Sequence, residues 1–209
     1  MANREVVAKV QNAVLYSDGC IRIDNVRASY PHLDEPYKSE GDDGNTKEAF
    51  SIDGLMPKET HKAAKDLVKK AIEDLLQKND AKVGSSFWFL KDGDKLFEED
   101  DSKSTLQGNF VIKSSEKRRP AVRNRDGSIM SEREIGDKIY GGCWVNVLLR
   151  PWYFSGKASN GKTYPKRVLA NLIAVQFVRD DDAFGEGRIS DEGVFDSASD
   201  DNDSDDDGL

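Results

Sequence analysis

Two stretches rich in β-branched and aromatic residues, Gly141–Phe154 and Lys166–Arg179, dominate the second half of the chain. Residues of these types favour strands over helices. The loop between them, Ser155–Thr163, is made of glycine, serine, asparagine and lysine, which is typical of a hairpin tip. We therefore predict a long β-hairpin, and the rest of the fold has to be built around it.

Shorter signals place further strands and a helix ahead of this hairpin. Ile21 and Ile23 alternate with polar residues, which predicts a half-buried strand ending at Tyr30-Pro31. Further strands are expected at Ala49–Leu55 and Asn109–Lys113, a loop at Pro36–Thr46, and a turn at Asp92-Gly93-Asp94. A stripe of apolar residues at i, i+3, i+4 spacing after Pro57 predicts one helix, Lys58–Lys78. Short strands with one helix fit a mainly β, OB-fold-like Greek-key barrel with one inserted α-helix.

The charges are distributed unevenly along the chain. The net charge of −8 argues against a nucleic-acid partner, but Asp180–Leu209 holds 13 acidic residues and one base, a net of −12. The preceding 179 residues carry a net of +4, and Lys103–Arg167 holds 14 bases against five acids. A basic domain with an acidic tail is a charge asymmetry that often marks nucleic-acid binders. We predict an OB-fold-like domain over residues 1–185 and a disordered acidic tail over residues 186–209, where almost no residue suits a core.

Basic and aromatic residues are interleaved in the predicted strands, as single-strand binding requires: cations follow the phosphates and rings stack on unpaired bases. The rings expected to stack are Trp152, Phe154, Tyr153, Tyr164, Tyr30 and Phe110. The cations expected to contact phosphates are Lys113, Lys117, Arg118, Arg119, Arg123, Arg150, Lys157, Lys162, Lys166 and Arg167.

Alternation within the first strand of the hairpin sorts its two faces. The apolar set Cys143, Val145, Val147 and Leu149 fits the core, and the wetter face continues towards Trp152. Pro151 leaves open whether Phe154 or Tyr153 shares the face of Trp152, because proline can shift the register of a strand.

Two other functional classes compete with DNA binding. Gly156–Thr163 matches the P-loop pattern G-x-x-x-x-G-K-[ST], which suggests a nucleotide-hydrolysing replication factor. A P-loop needs a helix directly after it and further βα units, whereas Arg167–Val178 reads as a strand. The second alternative is an RNA-binding or annealing protein on the same fold. Acid pairs such as Asp92 with Asp94 lack a third metal ligand or a positioned base, so we expect no catalysis, metal or cofactor.

The cysteines and the N-terminus bear on localisation. Cys20 and Cys143 form no paired or metal-binding spacing, and the chain begins without the apolar core of a signal peptide. No apolar run reaches the roughly 18 residues of a membrane span. We expect a cytoplasmic protein with no membrane partner, and the oligomeric state stays open, a homodimer included.

Ordered landmarks over most of residues 20–185 resemble the tailed-phage single-stranded DNA-binding proteins of the T-odd coliphage type. The landmarks are Arg27–Pro31, Phe50-Ser51, Leu55–Lys58, Lys91–Asp94, Arg119-Pro120, Ile139–Cys143, Arg150–Trp152, Val175–Val178 and Phe184-Gly185. The resemblance implies an OB-fold core, sequence-independent binding of single-stranded DNA in phage replication and recombination, and a base-stacking ring at Trp152. It also implies that the acidic tail recruits polymerase and helicase-primase, here through Asp205, Asp206, Asp207 and Leu209. Tails of that family often end in Phe, and this one ends in Leu209.

Overall fold

The computed structural model describes residues 4–40, 46–158 and 161–185. Nine strands and three α-helices follow one another in these ranges. The strands are β1 (Val6–Val10), β2 (Ala13–Tyr16), β3 (Ile21–Glu40), β4 (Thr46–Pro57), β5 (Leu90–Asp92), β6 (Asn109–Glu116), β7 (Ala121–Arg123), β8 (Trp144–Phe154) and β9 (Arg167–Arg179). The helices are α1 (Lys58–Lys78), α2 (Gly93–Glu99) and α3 (Glu132–Lys138), and 3-10 turns cover Ser85–Phe87 and Asp101–Leu106.

Five of the strands close into a barrel. Strand β3 pairs with β4 on one side and with β8 on the other, β4 pairs with β6, and β9 joins β8 to β6. All these pairings are antiparallel except β6–β9, which is parallel and consists of one residue pair, Ser115 with Asn171. The closed five-strand barrel with its helix insertion confirms the predicted mainly β, OB-fold-like architecture.

The barrel core follows the alternation seen in the sequence. Cys143, Val145, Val147 and Leu149 are all fully buried, as predicted for the inward face of β8. Helix α1 has the predicted bounds, and its stripe of Ala64, Leu67, Val68, Ile72 and Leu76 packs on the same core. Each large apolar side chain buried there contributes roughly 1.5–3 kcal/mol, so tertiary packing holds this insertion against the barrel.

Strand β3 runs to Glu40, well beyond the predicted end at Tyr30-Pro31, so the loop expected from Pro36 was wrong at its start. Proline lacks the N–H that a ladder needs. The structure accommodates Pro31 and Pro36 at register shifts between Ser29 and His32 and between His32 and Tyr37. These irregularities let the strand continue past both prolines.

Two short helices were not predicted. The sequence Asp92-Gly93-Asp94, expected to be a turn, begins α2, with the Asp92 side chain accepting a hydrogen bond from the Asp94 backbone N–H at 3.1 Å. Helix α3 starts with a capping box in which Ser131 and Glu134 bond each other's backbone N–H groups. An Asp that bonds the N–H two residues on serves a turn and a helix N-terminus equally, so the local pattern did not separate them.

The segment after β9, Asp180–Gly185, lies against the barrel. Arg27 donates to the Asp182 carbonyl at 2.6 Å, and the Phe184 N–H donates to the Gly141 carbonyl at 2.8 Å. The Phe184 ring packs beside the buried Leu55 cluster, with the Arg27 guanidinium 4.5 Å from its centroid. These contacts fix the chain as far as Gly185. The predicted tail, residues 186–209, lies outside the described residues, as do Asp205, Asp206, Asp207 and Leu209 within it. No helix in the described ranges is long and apolar enough to span a membrane.

Candidate nucleic-acid interface

An open groove crosses the outer face of β4, β6 and β9. We call it the barrel groove. Its central part is lined by Ser51, Asp53, Phe87, Trp88, Lys91, Lys113, Ser115, Trp152, Arg167, Leu169 and Asn171, among others. Beyond Trp152, Ser115 and Asn171 the groove continues past Lys47 and Lys117. Side chains from several separate stretches of the sequence therefore meet on one surface of the barrel.

Positive charge converges in the central part of the groove. Burial, and then the charges of Lys113 and Arg167, lower the pKa of the Lys91 ammonium, whose Nζ donates to the Ser86 carbonyl. One carboxylate lies among these cations: Asp53 Oδ2 is 2.9 Å from Lys113 Nζ. Burial raises the pKa of Asp53, although the neighbouring Lys113 opposes this shift. Three cations facing one carboxylate leave the central part of the groove positive and suited to an anionic backbone, while Lys47 and Lys117 are balanced by Glu48 and Glu116 further along.

Aromatic rings lie in the same groove and continue out of it along the β8–β9 hairpin. Phe87 is 43% exposed and Trp152 is 38% exposed. The Phe154 ring centroid lies 6.1 Å from that of Trp152, and the Tyr164 centroid lies 6.5 Å from that of Phe154. Phe154 and Tyr164 are half-buried, so Trp152 is the most open ring of a row that can receive successive unpaired bases.

The register of β8 settles which ring accompanies Trp152. Strand β8 pairs with β9 continuously through Pro151, Trp152, Tyr153 and Phe154. Side chains therefore keep alternating, so Trp152 and Phe154 share a face, whereas Tyr153 packs against the barrel core. We accordingly assign Tyr153, one of the predicted stacking residues, to packing.

Four of the predicted residues line the barrel groove, namely Trp152, Lys113, Lys117 and Arg167. Others lie on the hairpin that leads away from it. Lys157 pairs with Thr163 at the tip, and the Ala158 N–H donates to the Lys162 carbonyl at 3.0 Å. The tip thus carries Lys157 and Lys162 beside the end of the ring row at Tyr164.

Two predicted phosphate contacts are engaged within the protein. Arg119 donates to both carboxylate oxygens of Glu132 at 2.8 Å and to the Asp34 carbonyl at 2.6 Å, which ties α3 to β3. Arg123 donates to the Gly127 carbonyl at 2.7 Å. Arg119 thus has a bidentate carboxylate partner that gives it a structural role, whereas Arg123 has a single carbonyl partner, and phosphate binding by either residue stays a prediction.

Three further predicted cations do not line the barrel groove. Arg150 pairs with Asp18 at 3.4 Å, beside the turn between β2 and β3. Lys166 lines a separate hollow with Leu76 and Lys82 at the end of α1. Arg118 is exposed after the end of β6. Adjacent residues therefore differ in position: Arg167 and Lys117 line the groove, whereas Lys166 and Arg118, their neighbours in the sequence, do not.

The remaining two rings lie outside the groove. Tyr30 is 68% exposed and occupies the irregularity in β3 opposite Ser51 and Asp53, with φ of +45°. A bulge re-aims the side chain it carries, and this backbone conformation is unusual for a bulky residue. Phe110 belongs to β6 and its ring lies beside α1, with Lys58 Nζ 5.2 Å and Lys65 Nζ 5.4 Å from its centroid.

Sequence reasoning missed Phe87, Lys91 and Lys47, which line the groove. Phe87 belongs to the apolar run before β5, a run that resembles core sequence. Lys91 and Lys47 lie outside the basic stretch from Lys103 to Arg167. The pairing of β5 and β4 with β6 brings them to the groove, and nothing in their local sequence indicates it.

The P-loop interpretation of Gly156–Thr163 is wrong. The segment that follows is β9, which pairs with β8 along its length, so in the described part of the chain no helix N-terminus faces the loop. The glycines serve the hairpin: Gly156 has φ of +90°, and a Cβ there would lie 2.5 Å from the Tyr164 carbonyl oxygen. Among the described residues no three His, Cys, Asp or Glu side chains cluster as metal ligands.

A closed five-strand barrel with an open basic and aromatic groove defines an OB-fold protein of the oligonucleotide-binding class. The chain belongs to the family of the single-stranded DNA-binding protein of Enterobacter phage Enc34, whose family model matches residues 20–207. This confirms the resemblance to phage single-stranded DNA-binding proteins, which are not a family of enzymes.

Similar proteins agree with this assignment. The Enc34 single-stranded DNA-binding protein, solved in complex with single-stranded DNA, is 40% identical with a TM-score of 0.75, covering 88% of this chain and 100% of that one. Putative protein p50 of Acyrthosiphon pisum secondary endosymbiont phage 1 is 30% identical over 86% of this chain and 94% of its own. The single-stranded DNA-binding protein of bacteriophage T7 shares the fold, with a TM-score of 0.52 at 14% identity over 80% of this chain and 95% of its own.

Proposed function

We propose that this protein binds single-stranded DNA without sequence specificity in the barrel groove. The observation that carries the proposal is the convergence of Lys91, Lys113 and Arg167 beside the exposed rings of Trp152 and Phe87. Lysines and arginines neutralise phosphates and every base has a face that can stack, so this combination holds a strand whatever its sequence. Membership of a family named for single-stranded DNA binding supports it.

Charge attraction and stacking have separate parts in this mechanism. The cations draw the strand into the groove and release its counterions, which makes affinity depend on salt. The row Trp152–Phe154–Tyr164 then holds bases that are unpaired and free to turn towards it. A duplex keeps its bases stacked inside, so it gains only the first of these contributions.

The test is a titration of fluorescent single-stranded DNA, duplex DNA and RNA of one length at several salt concentrations. We expect the single strand to bind more tightly than the duplex, with log affinity falling linearly against log salt by about 0.7 for each neutralised phosphate. Equal affinity for the duplex would contradict the stacking mechanism. Tighter binding of RNA would favour the alternative of an RNA-binding protein on the same fold.

One pair of variants tests whether the barrel groove is the site. Arg167→Gln should flatten the salt dependence by about 0.7, since Arg167 lines the groove. Arg118→Gln is the matched control, because it removes the same charge from an exposed position that does not line the groove. A flatter slope for the control and an unchanged slope for Arg167→Gln would move the site to the surface around Arg118, after the end of β6.

The cellular role that fits this activity is coverage of single strands during phage DNA replication and recombination in the host cytoplasm. We propose that the acidic C-terminal residues, Asp205 to Asp207 with Leu209, recruit replication proteins such as polymerase and helicase-primase. The support is the charge of the aspartates and the apolar side chain of Leu209 beside them, which together suit a partner pocket lined by cations. Light scattering of the free protein tests the homodimer that the sequence leaves open.

A further inference from the structure

A second cleft adjoins the barrel groove, and none of the functions above uses it. It lies between α1, α2 and the 3-10 turn at Ser85–Phe87, and we call it the helical cleft. Ser86, Trp88 and Lys91 line both the helical cleft and the barrel groove. The two depressions therefore meet at these residues and form one continuous path over the surface.

The helical cleft is lined with cations on both sides. Lys65 and Lys69 enter it from α1, and Lys95 enters it from α2. It also contains two acids, Asp92 and Glu99. Asp92 shares the ammonium of Lys58 with Asp94, at 2.5 Å and 2.7 Å respectively. Lys65 pairs with Asp66 at 2.6 Å and Lys69 with Glu73 at 3.6 Å, but neither of these acids lines the cleft. With Lys91 at the junction, four lysines therefore line the cleft against two acids.

An aromatic ring belongs to the helical cleft as well. Phe110 lines it and is partly buried, and the ammonium of Lys65 lies 5.4 Å from its centroid. A ring flanked by lysines is the same combination that the barrel groove presents at Trp152. Phe110, which the sequence predicted to stack on bases, therefore lies on a surface that a DNA strand can reach.

We infer that the strand bound in the barrel groove continues past Lys91 into the helical cleft, so that inserted elements α1 and α2 extend the binding site. The occupant is the same single strand of DNA, because the path is continuous and the charge is complementary to phosphate. The inference rests on the proposed function and adds a length requirement to it. A short strand fills the barrel groove alone, and a longer strand uses both.

The experiment compares the variant Lys69→Gln with Lys95→Gln against the control Lys70→Gln with Lys78→Gln in the full-length protein. Both double variants remove two exposed lysines, and neither Lys70 nor Lys78 lines the helical cleft. Each is titrated with oligothymidylates of about 5 and about 20 nucleotides, lengths that bracket the site sizes of single OB folds. Thermal melting checks that both variants are folded.

We expect the cleft variant to bind the long oligonucleotide several-fold more weakly, with a salt slope shallower by about 1.4, the contribution of two phosphates. Its affinity for the short oligonucleotide should match wild type, and the control should match wild type for both lengths. Equal weakening by both variants would show a long-range charge effect and overturn the inference, as would no weakening by either. A wild-type protein that binds neither oligonucleotide would instead overturn the proposed function itself.

Discussion

Trp152 stands on the outer face of β8 at the middle of the barrel groove, with the Phe154 ring meeting it edge to face at 75°. We predict that Trp152→Ala loses about 1–3 kcal/mol of binding to single-stranded DNA, a factor of roughly five to more than a hundred in affinity. The melting temperature should fall less than for a fully buried aromatic residue, because Trp152 is 38% exposed. Thermal melting beside an oligonucleotide titration measures both effects.

The neighbouring residue provides the opposite pattern. Tyr153 packs on the core, so Tyr153→Ala should lower the melting temperature clearly and reduce binding only through the loss of folded protein. Trp152→Phe should retain much of the affinity, since any aromatic face can stack. A Trp152→Ala protein that melts far below wild type would place that ring in the core.

Asp53 is the carboxylate that lines the central part of the barrel groove. Its folded-state pKa is raised by burial, so the folded protein holds this proton more tightly than the unfolded chain does. Stability is therefore lost as pH rises from the ordinary carboxyl pKa through the raised one. Asp53→Asn cannot ionise and should escape that loss, so its melting temperature should gain on wild type from about pH 4 upward and then stay level.

The same substitution should strengthen DNA binding. Removing the Asp53 charge frees Lys113 from its 2.9 Å ion pair and takes a negative group away from the phosphates. We expect higher affinity at neutral pH and a smaller gain at acidic pH, measured by titration at both. Weaker binding by Asp53→Asn would mean that Asp53 positions Lys113 for its phosphate.

The hairpin between β8 and β9 depends on its glycines in unequal ways. Gly156 has φ of +90°, and a Cβ there would meet the Tyr164 carbonyl oxygen at 2.5 Å. Gly161 has φ of +78° and no atom within 4 Å of the same added Cβ. Each alanine costs about 1 kcal/mol or more for its backbone conformation, but only Gly156→Ala must also move the Tyr164 backbone.

We therefore predict that Gly156→Ala weakens DNA binding more than Gly161→Ala does. Displacing Tyr164 breaks the ring row at its outer end, and Lys157 moves with the tip. Melting curves and oligonucleotide titrations of the two variants provide the comparison. Equal effects from both would indicate that the tip acts only through its backbone strain and that the ring row ends at Phe154.

For the helices and strands, the sequence predicted the long ones and missed the short helices. Helix α1 was predicted with its observed bounds because Pro57 marks its start and a 3.6-residue apolar period runs through it. Helices α2 and α3 have seven residues each, too few to show such a period. The extension of β3 was missed because Pro31 and Pro36 imply chain breaks unless register shifts absorb them.

The residues of the candidate site also fall into a group that the sequence predicted and a group that it did not. Trp152, Lys113, Lys117 and Arg167 lie in the dense basic and aromatic stretch, where composition alone indicated them. Within that stretch, composition did not distinguish Arg119, which is bonded to Glu132, from Arg167, which faces the groove. Lys91 comes from a distant stretch that only the pairing of β5 with β6 brings alongside.

For the whole molecule, the charge asymmetry leads to a prediction about residues 186–209. They hold ten acids and one base, and they are joined covalently to a domain whose groove is basic. Attachment gives such a segment an effective concentration of order mM if it is flexible, enough to compete with DNA for the groove. Removing these residues should tighten binding to single-stranded DNA. It should also reduce the preference of the protein for single-stranded DNA over other polyanions.

Added salt should shrink the difference between full-length and truncated protein, because it screens both interactions. The measurement is a pair of titrations at low and moderate salt, with heparin as the competing polyanion. Weaker binding by the truncated protein at low salt would show that these residues do not compete for the groove. A full-length variant with the acids of residues 186–209 replaced by Asn and Gln separates the effect of charge from that of length.

The barrel closes at its parallel junction through the single pair Ser115 and Asn171, and both residues lie in the groove. A ligand lying there crosses from β6 to β9, the strand pair of the barrel that has the fewest paired residues. A DNA strand bound in the proposed site would therefore contact both β6 and β9 and hold the two strands together. Local separation of β6 from β9 should then be rarer in the DNA-bound protein. Amide hydrogen exchange along these two strands should therefore be slower with DNA than without it, and its rate measures how far the groove is occupied.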